Sequence, residues 1–199
     1  MSAPLYGLVL AGGASTRMRR DKAALDYHGK PQLQWTFDLV SAVCERSFVS
    51  VRADQAGDAL RNQLPQIVDR VSVGGPIAGI LSALLIHREA AWLVLACDLP
   101  FVDSATLRHL LLNRDTARIG TAYRSAHDGL PEPLCAIFEP HALGPMEDFV
   151  AAGSACPRKF LTYSQAHTLE LPRADALDNV NTAEEWAAAR QALSSPLAS

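Results

Sequence analysis

The sequence predicts an α/β fold, a three-layer α/β/α sandwich in which a mostly parallel, Rossmann-like sheet lies between two layers of helices. Short apolar strands alternate with helical segments through the first two-thirds of the 199-residue chain. Strands such as Leu5–Leu10 and Trp92–Ala96 are apolar throughout, which is typical of strands buried on both faces. Both of them lead into polar segments at their carboxyl ends, where open α/β sheets bind ligands.

The individual elements are predicted from short apolar runs for strands and from apolar residues at three- and four-residue spacing for helices. Strands are predicted at Leu5–Leu10, Ser47–Val51, Gln66–Val68, Trp92–Ala96, Arg118–Tyr123, Leu134–Phe138 and Thr168–Leu171. Helices are predicted at Leu33–Val43, Ala56–Leu64, Ile77–His87, Ser104–Leu112, His141–Ala152 and Thr182–Ala192. We expect Asp103 or Ser104 to cap the fourth helix, Thr182 to cap the last, and Gly144-Pro145 to interrupt the fifth.

The composition is that of an ordinary globular protein, with 49% hydrophobic and 20% charged residues. A net charge of −3 predicts neither nucleic acid nor an anionic membrane surface as a partner. No apolar run reaches the roughly 18 residues that span a bilayer, and the first residues do not resemble a signal peptide, so we expect a cytoplasmic protein. The four cysteines lack metal-finger spacing and are expected to be reduced and mostly buried. A reactive thiol at Cys97 is the alternative.

The first strand leads into the segment LAGGASTRMRRDK, from Leu10 to Lys22. Gly12 and Gly13 allow a sharp turn and a close approach of the backbone to a ligand, and N–H groups exposed in such a turn form an anion-binding concavity. The segment also carries donors for phosphate oxygens: the hydroxyls of Ser15 and Thr16, the guanidinium of Arg17 and the ammonium of Lys22. It therefore predicts a loop that binds a nucleoside triphosphate.

Two familiar phosphate-binding loops do not match this segment. A Walker loop needs a glycine directly before its lysine, whereas Asp21 precedes Lys22. A Rossmann dinucleotide loop needs a third glycine that this segment lacks. A plain tight turn with a solvated basic face would account for Gly12-Gly13, but it would not account for the hydroxyl pair, Arg17 and the Asp21-Lys22 pair.

Asp98 follows the buried strand Trp92–Ala96 after one residue, so its carboxylate is expected at the same sheet edge as the first loop. Magnesium prefers carboxylate oxygens together with substrate phosphates. Asp98 is therefore the predicted ligand of Mg²⁺, because a bound triphosphate needs a cation partner. A helix cap or a turn residue, which the nearby Pro100 would also suit, is the alternative.

Two further segments are expected at this edge. Asp69 precedes the flexible stretch Gly74–Gly79, in which Gly75-Pro76 allows close backbone approach to a nucleobase. The segment from Asp178 to Thr182 precedes the last helix, and Asn181 offers a carbonyl oxygen to a metal or to a second substrate. A plain helix start capped by Thr182 is an equally good interpretation of this second segment.

Together these segments resemble the molybdenum cofactor guanylyltransferases, within the broader superfamily of NTP transferases with the nucleotide-diphospho-sugar transferase fold. The matching pieces are LAGGASTRMRRDKAAL, HGKP at His28–Pro31, Asp69, GGPIAGI at Gly74–Ile80, LACDLPF at Leu95–Phe101 and NVNTAEE at Asn179–Glu185. They run from end to end of the chain in the expected order. The first piece is specific for the superfamily, and the GPIAG and NVNT pieces narrow the match to the molybdopterin branch.

The resemblance implies a reaction in which the terminal phosphate of molybdopterin, usually carrying molybdenum, attacks the α-phosphate of GTP. The products would be the guanine dinucleotide form of the cofactor and pyrophosphate. By this resemblance GTP would contact Leu10, Ala11, Gly12, Lys22, Asp69 and Asp98, with Gly13, Ser15, Arg52 and Gly75 as further candidate ligands. Asp98 would also bind Mg²⁺, and Asn179 and Asn181 would lie toward the metal or the pterin. Arg17, Lys22 and Asp98 are the predicted catalytic residues.

The chain departs from the family pattern at two positions. Arg19 stands where the phosphate loop often has glycine, which adds charge and alters how the loop closes. Arg52 is the nearest match to an asparagine that often follows the second strand, and this leaves the choice of base open. A CTP-dependent cytidylyltransferase acting on the same pterin or on another phosphorylated acceptor is therefore an alternative. A degenerate protein that only carries nucleotide or pterin is the non-enzymatic alternative.

We expect one nucleotidyltransferase domain over residues 1–199, with a nucleotide-binding half at about 1–100 and an acceptor-binding half at about 101–193. Residues 194–199 are expected to be a frayed tail. GTP and molybdopterin are the expected substrates, and the expected state is a monomer or a weak homo-oligomer. Delivery of a labile cofactor also suggests transient contact with other molybdenum cofactor assembly proteins.

Overall fold

A computed structural model describes residues 2–11 and 21–194 of the chain. Its strands are β1 Leu5–Leu10, β2 Arg46–Val51, β3 Gln66–Val68, β4 Ala91–Ala96, β5 Gly120–Arg124, β6 Pro131–Phe138 and β7 His167–Leu169. They form one sheet in the order β3-β2-β1-β4-β6-β5-β7. Strand β6 runs antiparallel to β4 and to β5, and the other pairs are parallel. The mostly parallel sheet predicted from the sequence is confirmed.

Helices cover both faces of this sheet. They are α1 Gln32–Ser41, α2 Pro76–Ile86, α3 Ser104–Leu112, α4 Leu143–Ala151, α5 Pro157–Tyr163 and α6 Ala183–Ser194. Short 3₁₀ turns lie at Lys22–Ala24, Ala53–Gln55, Arg61–Gln63 and Pro140–Ala142. Within the described part of the chain, no helix is both long and apolar enough to cross a membrane.

The two large apolar clusters of the described residues lie on opposite faces of the sheet, because successive strand side chains point to opposite faces, and a smaller third cluster joins Leu25 and Tyr27 to Val180 and Ala189. On one face the strand residues Val9 and Leu93 belong to the same cluster as side chains of α1 and α3. On the other face Leu8 and Val94 belong to a cluster with side chains of α2, α4 and α5. Strand β4 is buried along its whole length. This arrangement is the predicted three-layer α/β/α sandwich.

The predicted helix Ala56–Leu64 is wrong. Two 3₁₀ turns, Ala53–Gln55 and Arg61–Gln63, flank a turn in this region instead. The Asp58 carboxylate accepts hydrogen bonds from the backbone N–H groups of Leu60 and Arg61. Such local side-chain bonds compete with helical hydrogen bonds, and a glycine at position 57 further weakens a helix.

The predicted interruption at Gly144-Pro145 is also wrong, because α4 runs through both residues from Leu143 to Ala151. Pro145 lies in the first turn, where its missing N–H has no partner to lose within the helix. Helix α5, Pro157–Tyr163, was not predicted, because seven residues are too few to show a helical period.

The predicted helix caps are confirmed. The Asp103 carboxylate accepts a hydrogen bond from the Thr106 N–H at the start of α3. At the start of α6, the Thr182 hydroxyl accepts from the Glu185 N–H, and the Glu185 carboxylate accepts from the Thr182 N–H. This reciprocal pair is a capping box, which defines where α6 begins and where the preceding segment with Asn181 ends.

Candidate active site

A cavity of about 220 Å³ lies at the carboxyl ends of β1, β2 and β4. Its lining includes most of the predicted ligand residues that the structure describes: Leu10, Ala11, Lys22, Asp69, Gly75 and Asp98. The lining is completed by Asp21, Ala23, Ser50, Pro76, Gly79, Ala96, Cys97 and Leu134. Parallel strands end at one edge of the sheet, and this brings together residues that are far apart in the sequence.

Lys22, Asp98 and Asn181 meet at one side of this cavity. The Lys22 Nζ donates a hydrogen bond of 2.7 Å to Asn181 Oδ1 and lies 3.5 Å from Asp98 Oδ2. All three come from different parts of the chain: the turn after the first loop, the end of β4 and the segment before α6. The structure therefore brings together side chains of two segments that the sequence predicted separately, one to bind the nucleotide and one to lie toward the metal or the acceptor.

Asp98 presents an oxygen that has no hydrogen-bond partner among the described residues. Its Oδ1 is buried, while its backbone carbonyl accepts a 3.0 Å hydrogen bond from the Val180 N–H. A buried carboxylate oxygen without a partner is unfavourable unless a ligand or a cation satisfies it. The donor set thus fits a divalent cation at Asp98. No group of three or more His, Cys, Asp or Glu side chains that could hold a metal occurs in the described part of the chain, so substrate phosphates and water would supply further ligands.

Asp69 lies across the cavity, at the end of β3, and is held by β2. The Ser50 hydroxyl donates a 3.2 Å hydrogen bond to Asp69 Oδ1. Burial raises the pKa of the Asp69 carboxyl above its ordinary value, and the Ser50 hydrogen bond and Arg52 oppose this only in part. Asp69 therefore lines the cavity in a fixed position, held by one hydrogen bond from the neighbouring strand.

Helix α2 begins at the cavity and packs closely against β2. Gly75 caps it with a φ of 81°, a conformation that favours glycine, and Pro76 occupies its first position. A Cβ added at Gly79 would lie 2.2 Å from the Ser50 Oγ, which is far inside contact distance. Only glycine at position 79 lets the helix approach the Ser50–Asp69 pair this closely.

Arg61 is a residue of this region that the sequence did not single out. Its side chain is 3% exposed, although it belongs to a short surface turn. The guanidinium donates hydrogen bonds to the Ala11 carbonyl and to both carboxylate oxygens of Asp21. An arginine some 40 to 50 residues from its partners carries no sequence signal, so only the structure reveals it.

Cys97 is buried, and this burial is the main reason why its thiol pKa is raised to about 12. A thiol in this environment stays protonated near neutral pH. The alternative of a reactive thiol beside Asp98 therefore finds no support, and Cys97 contributes to the apolar wall of the cavity.

Several predicted residues lie elsewhere. The Arg52 guanidinium donates two hydrogen bonds to Asp54, and Arg52 is absent from the cavity lining. Asn179 is exposed, two residues before Asn181. The predicted ligands Gly12, Gly13, Ser15, Thr16 and Arg17, and the unusual Arg19, lie outside the described residues.

The layered sheet with a charged cavity at its carboxyl edge is the nucleotide-diphospho-sugar transferase fold, and the match to NTP transferases makes the protein a nucleotidyltransferase. The chain belongs to the family of proteins with a MobA-like NTP transferase domain, whose model matches residues 7–169. This match confirms the resemblance found from the sequence motifs.

Named relatives agree with this assignment. A molybdenum cofactor biosynthesis bifunctional protein of Synechocystis is 38% identical over 184 residues, which are 92% of this chain and 53% of that protein, so the chain spans about half of that relative's length. A molybdenum cofactor guanylyltransferase of Pseudomonas paraeruginosa is 33% identical over 91% of this chain and 92% of its own. The fold matches the molybdopterin-guanine dinucleotide biosynthesis protein A of Archaeoglobus fulgidus, with a TM-score of 0.77 and 23% identity over 95% of this chain and 98% of that one.

Proposed function

We propose that the protein is a molybdenum cofactor guanylyltransferase, which moves GMP from GTP to the terminal phosphate of molybdopterin. The observation that carries the proposal is the contact of Lys22 with Asp98 and Asn181, in a chain similar over nearly its whole length to proteins of that name. In the reaction an oxygen of the pterin phosphate bonds to the α-phosphorus of GTP. The bond from the α-phosphorus to the bridging oxygen breaks, and pyrophosphate leaves.

The chemistry needs positioning and charge neutralisation rather than a strong base, because the attacking phosphate is already an anion. In our proposal Lys22 offsets the charge that builds up at the α-phosphoryl group. Asp98 would hold Mg²⁺ through Oδ1, and the cation would supply neutralisation of phosphate charge. Arg17 and the Gly12-Gly13 amides are proposed to stabilise the departing pyrophosphate, and Asn181, with Asn179 nearby, faces the acceptor.

For the nucleoside we propose the part of the cavity formed by Leu10, Ala11, Ser50, Asp69 and Gly75. Guanine presents two neighbouring donors, N1–H and the 2-amino group, that can pair with the two oxygens of one carboxylate, whereas cytosine presents only its amino group. Asp69 is the carboxylate at this position, which favours GTP over CTP. Arg52, held by Asp54, would act on the base only from outside the cavity.

The test is pyrophosphate release with each of the four nucleoside triphosphates, with and without molybdopterin, in EDTA-treated and Mg²⁺-supplemented buffer. We expect release with GTP and with none of the other three nucleotides, and only when both pterin and Mg²⁺ are present. Release with CTP alone would support the cytidylyltransferase alternative instead. Binding of GTP or pterin with no release would support the carrier alternative. The Asp98→Asn variant, which keeps the shape of the side chain, is the matched control.

We propose further that residues 1–199 act as one domain in the cytoplasm, as a monomer or a weak homo-oligomer. The transient contacts with other cofactor assembly proteins are part of the same proposal. Sedimentation of the purified protein across a range of concentrations tests the oligomeric state, and a stable dimer at low concentration would contradict it.

A further inference from the structure

We infer that Arg61 is a positioning residue for the transfer reaction, which acts through Asp21 to hold Lys22 in its working place. The inference rests on the proposed function, because it concerns the reaction that Lys22 serves. Arg61 touches neither Asp98 nor Asn181 in any described contact, so its effect must pass through the main chain around Lys22. Three features of the structure carry the argument: the contacts of Arg61, the link from Asp21 to Lys22, and the charge of Asp21.

The contacts of Arg61 bridge the two ends of the glycine-rich segment 12–20. On one side its Nη2 and Nε donate to the Ala11 carbonyl oxygen at 2.9 and 3.2 Å. On the other side its Nη1 and Nη2 donate to the two carboxylate oxygens of Asp21 at 2.6 and 2.9 Å. Ala11 directly precedes this segment and Asp21 directly follows it. One buried side chain therefore fixes the separation of the two ends of the phosphate-binding segment.

Asp21 passes this constraint on to Lys22. The Asp21 Oδ1 accepts a 3.1 Å hydrogen bond from the Ala23 N–H and so caps the 3₁₀ turn that begins with Lys22. Lys22 lies between these two bonded residues, and its Nζ reaches Asn181 at 2.7 Å. Rotation of the Asp21 carboxylate would move the turn that carries Lys22. Arg61 binds both oxygens of this carboxylate and so holds it, and the turn, in place.

The charge of Asp21 supplies the second reason for Arg61. Asp21 lines the cavity that is proposed to take a triphosphate, where an uncompensated carboxylate would repel the ligand. The paired, planar guanidinium satisfies both oxygens of Asp21 and still donates to a carbonyl, which the compact ammonium of a lysine does not do. The hydrogen bonds to Asp21 raise the pKa of Arg61 above its already high ordinary value, so the guanidinium stays charged.

A buried arginine with these contacts would also stabilise the fold, so the experiment must separate the two roles. A double-mutant cycle with Lys22 does so, because residues that act through one another give non-additive effects. If Arg61 works by holding Lys22, its replacement matters only when Lys22 is present. If Arg61 only stabilises the fold, its effect on turnover persists unchanged in the Lys22→Ala protein.

The experiment measures kcat for GTP-dependent pyrophosphate release, together with the dissociation constant of GTP, in wild type, Arg61→Lys, Lys22→Ala and the double variant. We expect Arg61→Lys to lower kcat about tenfold or more, since small misplacements of a catalytic group are costly. The dissociation constant should change by less than about threefold, because Lys22 acts on charge that develops in the transition state. In the Lys22→Ala background the same change should alter kcat by less than about twofold. Equal effects in both backgrounds would overturn the inference.

Two further variants keep the test decisive. Asp58→Asn removes another ion pair of Arg61, at 3.1 Å, while an asparagine oxygen can still accept from the Leu60 and Arg61 N–H groups, so kcat should stay within about twofold of wild type. Asp21→Asn probes the same link from its other end and should reproduce the non-additivity even if Arg61→Lys fails to fold. A wild-type protein without any GTP turnover would defeat the proposed function, whereas an active wild type with additive effects would defeat only this inference.

Discussion

At the carboxyl ends of β3 and β4, Asp69 and Asp98 have few side-chain partners, whereas the carboxylates of Glu139, Asp128 and Glu132 on the side of β6, β5 and β7 are paired with arginine. On the first side, Asp98 Oδ1 is buried without a hydrogen-bond partner among the described residues, and Asp69 accepts one side-chain hydrogen bond, from Ser50. On the second side, Arg114 donates two hydrogen bonds to the buried Glu139, and Arg158 bridges two carboxylates.

This difference distinguishes residues that can bind a ligand from residues that stabilise the fold. A buried oxygen that lacks a partner lowers stability, and such groups persist where a ligand will satisfy them. A paired and buried ion pair resists movement and holds strands in register, but it offers nothing to a substrate. We therefore assign reaction chemistry to the carboxyl ends of β1, β3 and β4. The ion pairs beyond β4 are assigned to holding the antiparallel strand and its neighbours in place.

The largest effect is expected from Asp98→Asn. Losing the carboxylate should lower turnover roughly 1,000-fold, because one electrostatic contact to a developing charge is worth up to about 4 kcal/mol. The melting temperature should change little, since Oδ1 has no partner to lose and the Lys22–Asp98 ion pair of 3.5 Å is partly exposed and contributes little to stability. Initial rates and thermal unfolding of the same preparations check both statements. A variant that is active but unstable would show that Asp98 stabilises the fold rather than serving the reaction, which would contradict the comparison.

The reverse pattern is expected from Arg114→Met on the other side of the sheet. This change leaves Glu139, which is 2% exposed, without its partner, and it should lower the free energy of unfolding by about 3 kcal/mol. Turnover per folded molecule should change little. Urea unfolding and active-site titration measure the two quantities. The double variant Arg114→Met/Glu139→Gln removes both charges and should recover part of the lost stability; no recovery would argue against the ion pair as the cause.

Gly79→Ala tests the junction between framework and site. The added Cβ would lie 2.2 Å from the Ser50 Oγ, so α2 or β2 must shift, at a cost of about 2 kcal/mol in stability. The affinity for GTP should fall as well, because Ser50 holds Asp69. Calorimetric GTP binding and thermal unfolding report the two effects. Adding Ser50→Gly removes the clash and should restore stability, but not the affinity for GTP, because Asp69 loses its hydrogen bond from Ser50. Restoration of both quantities would show that Asp69 is not needed to bind the nucleotide.

The smallest effect on stability is expected from Asp69→Asn, and it depends on pH. Burial raises the pKa of this carboxyl in the folded protein, so the folded state holds the proton more tightly than the unfolded state. Stability then falls as pH rises from the ordinary carboxyl value of about 3.9 to the higher folded value, and stays lower above it. Relative to wild type, Asp69→Asn should gain stability over that window, by less than about 1 kcal/mol. Urea unfolding at closely spaced pH values measures the gain, and a constant difference at all pH values would contradict it.

The sequence predicted those parts of the molecule that depend on local pattern. Apolar runs located the strands, and Asp69 and Asp98, which follow β3 and β4, line the cavity together with Lys22 from the turn after the first loop. Turn chemistry was harder, because Asp58 redirects the backbone through hydrogen bonds that no periodicity shows. Long-range pairs were not predictable at all: Arg61 with Asp21, and Lys22 with Asn181, meet only because the sheet brings distant segments to one edge.

The most direct test of the account is the single-turnover rate of the Lys22→Ala protein with saturating GTP, Mg²⁺ and molybdopterin. Lys22 is the side chain in contact with both Asp98 and Asn181, so it links the nucleotide and acceptor sides of the proposed reaction. We predict transfer of the guanylyl group at a rate at least about 100-fold below that of wild type, with the fold intact by circular dichroism. Transfer at a rate close to that of wild type would contradict the central role given to this contact.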